Sequence, residues 1–346
     1  MRFIIITCVI ILAAGSLAAA SFTLDNNIHP TGQYTSWTAA YNAAAEGDTI
    51  YVYPSPYNYG SFDVAKRLTV IGGGVNPANP GLIDSKISLY VGSGSAAGED
   101  CLFSGLQIVN GVTNNYRVKY SNCRFNSWVT LKASNSELYY CWIVGNVIVG
   151  DGSTPSNGFL VCGCTIEGYF RPASQTDATC ANCVFIGNVN HIDTFVNNQI
   201  NCYFTNCLYA NSGTGSHTLA MVYSSPVSLV FVNCIMGIIT IHAGYTFQYC
   251  IFEGSSPNIT GPGNQQNVDL AEVMVDVNGG DYHLIPGSLA SGTGINGEDI
   301  GIYGGGTPFN DLWYLTRLPS ITEFTCPIVV DPSGFLNVHI EAQVGN

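Results

Sequence analysis

"TCANCVFIGN" (179–188) holds an Asn–Cys pair, an apolar doublet and a Gly, and the phrase recurs. "YSNCRFNS" (120–127), "FTNCLYAN" (204–211), "FVNCIMGI" (231–238) and "FQYCIFEG" (247–254) are variants of it. Eight cysteines head such phrases: Cys101, Cys123, Cys141, Cys164, Cys183, Cys207, Cys234 and Cys250. They are 16 to 27 residues apart, on average about 21, a period that indicates a solenoid.

Setting each cysteine to position zero sorts the repeats into columns. Position +2 holds Phe103, Phe125, Ile143, Ile166, Phe185, Tyr209, Met236 and Phe252, so Cys and +2 share one buried face of a strand. Position −1 is Asn at 122, 182, 206 and 233, a residue suited to a left-handed turn. Position +4 is Gly at 105, 145, 168, 187 and 254, and a turn with positive φ is expected there. Strands and turns repeating at this period predict an all-β chain, a single right-handed parallel β-helix, with like residues stacked about 4.8 Å apart. The cysteines then form an internal ladder of free thiols, since stacked rungs suit a disulfide dihedral poorly. Cys162, Cys180, Cys202 and Cys326 are expected outside the ladder, with their pairing open.

Residues 1–20 carry Arg2, an apolar run from Phe3 to about Ala14 and a small-residue end, Ala18-Ala19-Ala20, the pattern of a secretory signal. No other stretch is long and apolar enough for a membrane span, so a secreted protein is expected. Only 10% of residues are charged and the net charge is −13, which argues against nucleic acid as a partner. No cysteine spacing suggests a metal site.

At the ends, "TSWTAAYNAAAEGD" (35–48) predicts a capping helix with Ser36 as N-cap, within a cap spanning 21–48. The β-helix is expected over 49–310, with "DYHLIPGS" and "DIGIYGGG" as its last, irregular coils. In the tail, 311–346, "ITEFTCPIVV" and "FLNVHIEAQ" predict a β-hairpin. "GQYTSWTAAYNAAAEGDTIYVYPSPYNYG", "RLTVIGGGVNP", "DYHLIPGS", "DIGIYGGGTPF" and "LNVHIEAQ" resemble secreted bacterial right-handed β-helix proteins of the pectate-lyase-like superfamily. The likeness covers both ends, and the middle through repeat rhythm. It implies the β-helix fold; relatives include polysaccharide lyases, glycosidases and adhesive surface proteins.

The strand after the +4 turn offers an outward stripe of aromatics, amides and basic groups, suited to a polysaccharide or cell-surface glycan. Its binding candidates are Trp128, Thr130, Lys132, Tyr169, Arg171, Asn190 and His242, alongside Asn146, Ile148, Asn188 and Thr240. Two readings follow. One is non-enzymatic glycan binding, which needs no cofactor. The other is a polysaccharide lyase with Lys132 and Arg171 as base and cation, for which calcium enters as a possible cofactor. Their roots are expected two coils, about 9.6 Å, apart. "GTGING" (292–297) and "DVNGGD" (276–281) are expected to be turns. Position +1 is apolar at Leu102, Trp142, Val184, Leu208, Ile235 and Ile251, so residues 321–342 or a partner are expected to cover part of that stripe.

Overall fold

The computed structural model describes residues 19–75, 84–91, 100–173, 175–186, 200–210, 217–218, 227–237, 239–240, 245–257, 259–311, 319–325 and 339–344. Their strands stack into three long parallel sheets of eleven, ten and four strands, wound as a right-handed β-helix. Ser21–Leu24 opens the first sheet, pairing in register with Thr49–Val52. Trp37–Ala43 forms the capping helix, with Ser36 at the N-cap position, although its hydroxyl makes no capping bond. Trp37 stacks on Phe62 at 3.9 Å between ring centroids, which closes the N-terminal end of the core. In the tail, Pro319–Thr325 and His339–Val344 pair antiparallel as a hairpin.

Each coil of the helix body turns from the first sheet to the second through one residue. Gly105, Asn122, Tyr140, Gly163, Asn182, Asn206, Asn233 and Tyr249 fill that place, all with φ between 50° and 63°. This column fixes the register, and it corrects the first repeat. Phe103 pairs with Tyr120 and Ser104 with Ser121 in the first sheet, so the next two positions set Gly105 beside Asn122 and Leu106 beside Cys123. Leu106, not Cys101, holds the place below Cys123 in the ladder, and Ile108 takes the +2 place expected for Phe103. Cys101 is buried one sheet earlier, paired with Val118.

From Cys123 to Cys250 the ladder stands. Each of its seven thiols donates to the carbonyl two residues earlier, at 3.2–3.4 Å. All eleven cysteines among the described residues are free and buried. Cys180 and Cys202 join the inner face of the first sheet, where Phe204, Phe231 and Phe247 also stack on successive coils at 4.7 and 5.1 Å. Cys326 lies outside the described residues. Of the +4 glycines, Gly105 does take the left-handed turn, whereas Gly145 and Gly168 serve close approach: at Gly168 a Cβ would stand 2.3 Å from the Gly145 carbonyl oxygen, and at Gly145 2.6 Å from the Ser127 carbonyl carbon.

The C-terminal stretch expected as last coils does something else. Residues 268–309 leave the helix axis and run back along its flank as a strap. Met274–Asp276 and Asp281–Leu284 form a short antiparallel pair in it, and the Asp276 carboxylate accepts from Gly279 N–H across the turn. The strap then meets earlier and earlier coils. Ile295 N–H donates to Asn233 Oδ1 (2.9 Å), Asn206 Nδ2 to the Asp299 carbonyl (3.2 Å), and Asn182 Nδ2 to the carbonyls of Ile302 (2.8 Å) and Gly304 (2.7 Å). Cys162 Sγ, which faces outward, reaches Thr307 Oγ1 at 3.5 Å. Leu270, Val273, Met274, Ile300 and Ile302 pack on Val184, Leu208, Ile235 and Ile251 as a second core. The apolar +1 stripe is therefore covered over its upper four coils by 268–309; the side chains of 321–342 lie outside the described residues. In the corrected register the lower +1 positions are Gln107, which is buried, and Arg124, Trp142 and Thr165, which are half-buried.

Candidate functional site

The third sheet carries the predicted stripe. Val112–Asn114, Val129–Leu131, Val147–Val149 and Phe170–Pro172 pair in parallel, and Val129, Leu131, Val147, Val149 and Phe170 point into the core. The alternate residues form three columns, of which the third is buried at Gly150 and Ala173. The first is Gly111, Trp128, Asn146 and Tyr169; the second is Thr113, Thr130, Ile148 and Arg171; the third holds Lys132 beside Gly150 and Ala173.

The columns differ in what they present. Trp128 is 47% exposed, and its indole lies against Gly111, where a Cβ would come within 2.3 Å of the ring. The missing side chain lets the ring rest on the backbone of the coil below. Two coils on, about 9.6 Å along the axis, stands Tyr169, half-buried. Asn146 lies between them and accepts from the Tyr169 N–H through Oδ1 (3.0 Å). Thr130 faces outward but is only 8% exposed. Asn188, Asn190 and His242 lie outside the described residues, and of Thr240 only the backbone is described, in the pair His217–Thr218 with Ile239–Thr240.

Lys132 and Arg171 stand in different columns. Two coils separate them along the axis, and two residues along the strand. With strand spacing of about 4.8 Å and rise of about 3.3 Å per residue, their roots are roughly 12 Å apart, beyond the expected 9.6 Å. No carboxylate stands in the three columns. The two nearby acids are engaged elsewhere. Burial alone would raise the Asp151 carboxyl, but hydrogen bonds from Thr154 and Ser153, backbone and hydroxyl, outweigh it and hold it below the usual aspartate value. Glu167 accepts from the Trp142 indole N–H. Among the described residues no group of three or more His, Cys, Asp or Glu side chains is placed to hold a metal. No helix among them is long and apolar enough to cross a membrane.

No known family model matches this chain, and no curated protein does. Among solved structures it is similar to pectate lyase Pel9A, at 11% identity and a TM-score of 0.52, over 82% of this chain and 96% of that one. A pectin methylesterase from Aspergillus niger, in deglycosylated form, aligns over 81% and 95% of the two chains at 14% identity, with a TM-score of 0.28. The first likeness shows a shared fold, the right-handed parallel β-helix of pectate-lyase-like proteins.

Proposed function

We propose that the protein is an exported β-helix that binds an extended polysaccharide along its third sheet without cleaving it. The carrying observation is the Trp128–Asn146–Tyr169 column: two rings in one line with an amide between them. Their spacing of about 9.6 Å suits the alternate sugar faces of an extended chain. Lys132 and Arg171 lie to one side of the column and favour a chain bearing carboxylates. The leader-like N-terminus supports export, and the pectate lyase of the same shape supports a polysaccharide partner. The lack of a free carboxylate in the columns, and the wide spacing of the two cations, favour binding over elimination.

The test is binding of the purified protein to polygalacturonate and to neutral polysaccharides, by affinity electrophoresis and calorimetry. Trp128→Ala and Tyr169→Ala each weaken binding by about 1–3 kcal/mol, because large rings dominate desolvated contacts. Lys132→Ala weakens binding to the acidic chain alone, and added salt reproduces the loss. Should both ring variants bind like the parent, the third sheet is not the site. Growth of unsaturated product, abolished by Lys132→Ala, would establish the lyase instead.

A further inference from the structure

Basic residues are scarce in this chain, ten in all, and between residues 88 and 316 there are only five: Arg117, Lys119, Arg124, Lys132 and Arg171. Two of the five lie side by side on the outer face of the first sheet, away from the columns described above. Arg117 pairs with Asp100 on the coil below, and Lys119 Nζ with Glu137 Oε2 (3.0 Å) on the coil above. The Lys119 ammonium also sits 4.3 Å from the centroid of the Tyr139 ring, which holds it in place. These four charges, with Asn135 and Leu102, line a cleft of about 360 Å³.

The order of charge across the cleft restricts what enters. Val118 pairs with Cys101, and Lys119 with Leu102 and Glu137, so three successive coils present a carboxylate, two cations and a carboxylate. An anionic ligand meets Asp100 at one end and Glu137 at the other. A cationic ligand meets Arg117 and Lys119 in the middle. A neutral ligand rich in hydroxyls meets neither obstacle, because each hydroxyl donates to a carboxylate and accepts from a cation at once. Asp100, Arg117, Asn135 and Glu137 are planar two-pronged groups, the geometry that engages neighbouring hydroxyls on one sugar ring. The span from Asp100 to Glu137 is two coils and two residues along the strand, roughly 12 Å, enough for two sugar units. Stability gives little reason for the arrangement. The pairs are half-exposed, with side-chain exposures of 38% and 54%, and of 47% and 32%, and such pairs stabilise a fold weakly.

We infer that this cleft is a second, separate carbohydrate site, selective for neutral sugar chains. It does not depend on the third sheet, and a protein with both sites bridges an acidic and a neutral polysaccharide.

The experiment titrates the full chain with neutral β-1,4-linked hexasaccharides of glucose, mannose and xylose, and with a galacturonate hexasaccharide as the charged control. At least one neutral ligand binds with a Kd of about 1 mM or tighter. Asp100→Asn and Glu137→Gln each weaken that binding tenfold or more with the melting temperature unchanged, while Trp128→Ala leaves it intact. In the parent protein, adding the same ligand slows hydrogen exchange at 100–102 and 117–119, a measurement that needs no variant. The inference is overturned if no neutral hexasaccharide binds in the millimolar range, or if both charge variants bind like the parent. Protection on another face, or equal competition by the galacturonate chain, would overturn it as well. Because Trp128→Ala separates the two faces, failure here leaves the third-sheet reading standing, and the reverse also holds.

Discussion

Replacing Asn182 tests how the strap is held. This residue does two jobs with one side chain and one backbone conformation. Its backbone turns the coil at φ 52°, and its amide donates to two strap carbonyls while its Oδ1 accepts from the Thr307 hydroxyl at 3.2 Å. Asn182→Gly keeps the turn and removes the amide. Asn182→Ala removes the amide and also places a Cβ in the left-handed region. Losing the amide leaves the carbonyls of Ile302 and Gly304 without their donor, at about 1 kcal/mol each, or roughly 2 kcal/mol against strap docking. Alanine adds about 1–2 kcal/mol for its left-handed backbone, a cost that the whole fold bears. Hydrogen exchange of residues 295–307 reads the first quantity: both variants speed it by about 30-fold, at 1.4 kcal/mol per tenfold. Global denaturation reads the second: Ala lies about 1 kcal/mol or more below Gly. A dye for apolar surface should bind both variants more than the parent, because Val184, Leu208 and Ile235 lose cover. If strap exchange is unchanged in both variants, or changed in Ala alone, the amide does not hold the strap.

Gly168→Ala drives a methyl against the Gly145 carbonyl oxygen, and a melt should show a loss of about 1–3 kcal/mol; an unchanged melt would mean that neighbouring coils slide apart freely. Burial alone would raise the Asp25 carboxyl, but hydrogen bonds from Thr31 and Asn27 outweigh it and hold it below the usual aspartate value. A folded value below the unfolded one gives stability that is full above the unfolded value and is lost as pH falls through the folded value. The cap should therefore loosen in acid below about pH 4, and Asp25→Asn should flatten that pH dependence in a melt series. Burial pushes the Cys141, Cys164 and Cys183 thiols well above their ordinary value, so a thiol reagent at pH 8 should label none of them until denaturant is added. Labelling of the native protein would contradict the packed ladder.

The repeat was legible because two chemical demands coincide in each coil: a left-handed turn residue, and a small apolar side chain directly after it. Asn182-Cys183, Asn206-Cys207 and Asn233-Cys234 show both demands at once. The first coil misled because "CLF" at 101–103 imitates "CRF" at 123–125, while the true rung, Leu106, has no sulfur. With the register right, the +1 column changes from Gln107, Arg124, Trp142 and Thr165 to Val184, Leu208, Ile235 and Ile251, which marks where a cover must lie. What covers it follows from no periodicity, since the partners of Asn182 are 120 and 122 residues away in sequence. Trp128 and Tyr169 were recognisable as outward from alternation alone. Their shared column, and the offset of Lys132 from Arg171, needed the register. The cleft is not legible in the repeat, because Asp100, Arg117, Lys119 and Glu137 lie at and just ahead of the strand before the turn, and only the register brings them together.

A stack of coils in which each touches only its neighbours unravels one rung at a time from its free end. The strap changes that statistic here. By tying the coils of Asn182, Asn206 and Asn233 to a single segment, it makes the last rungs open together or not at all. Fraying from the C-terminal end thus becomes a concerted event. An emerging chain also cannot lock the coils of Asn182, Asn206 and Asn233 until residues 295–304 are out, and a truncation within 268–309 is expected to unsettle coils that begin some hundred residues earlier.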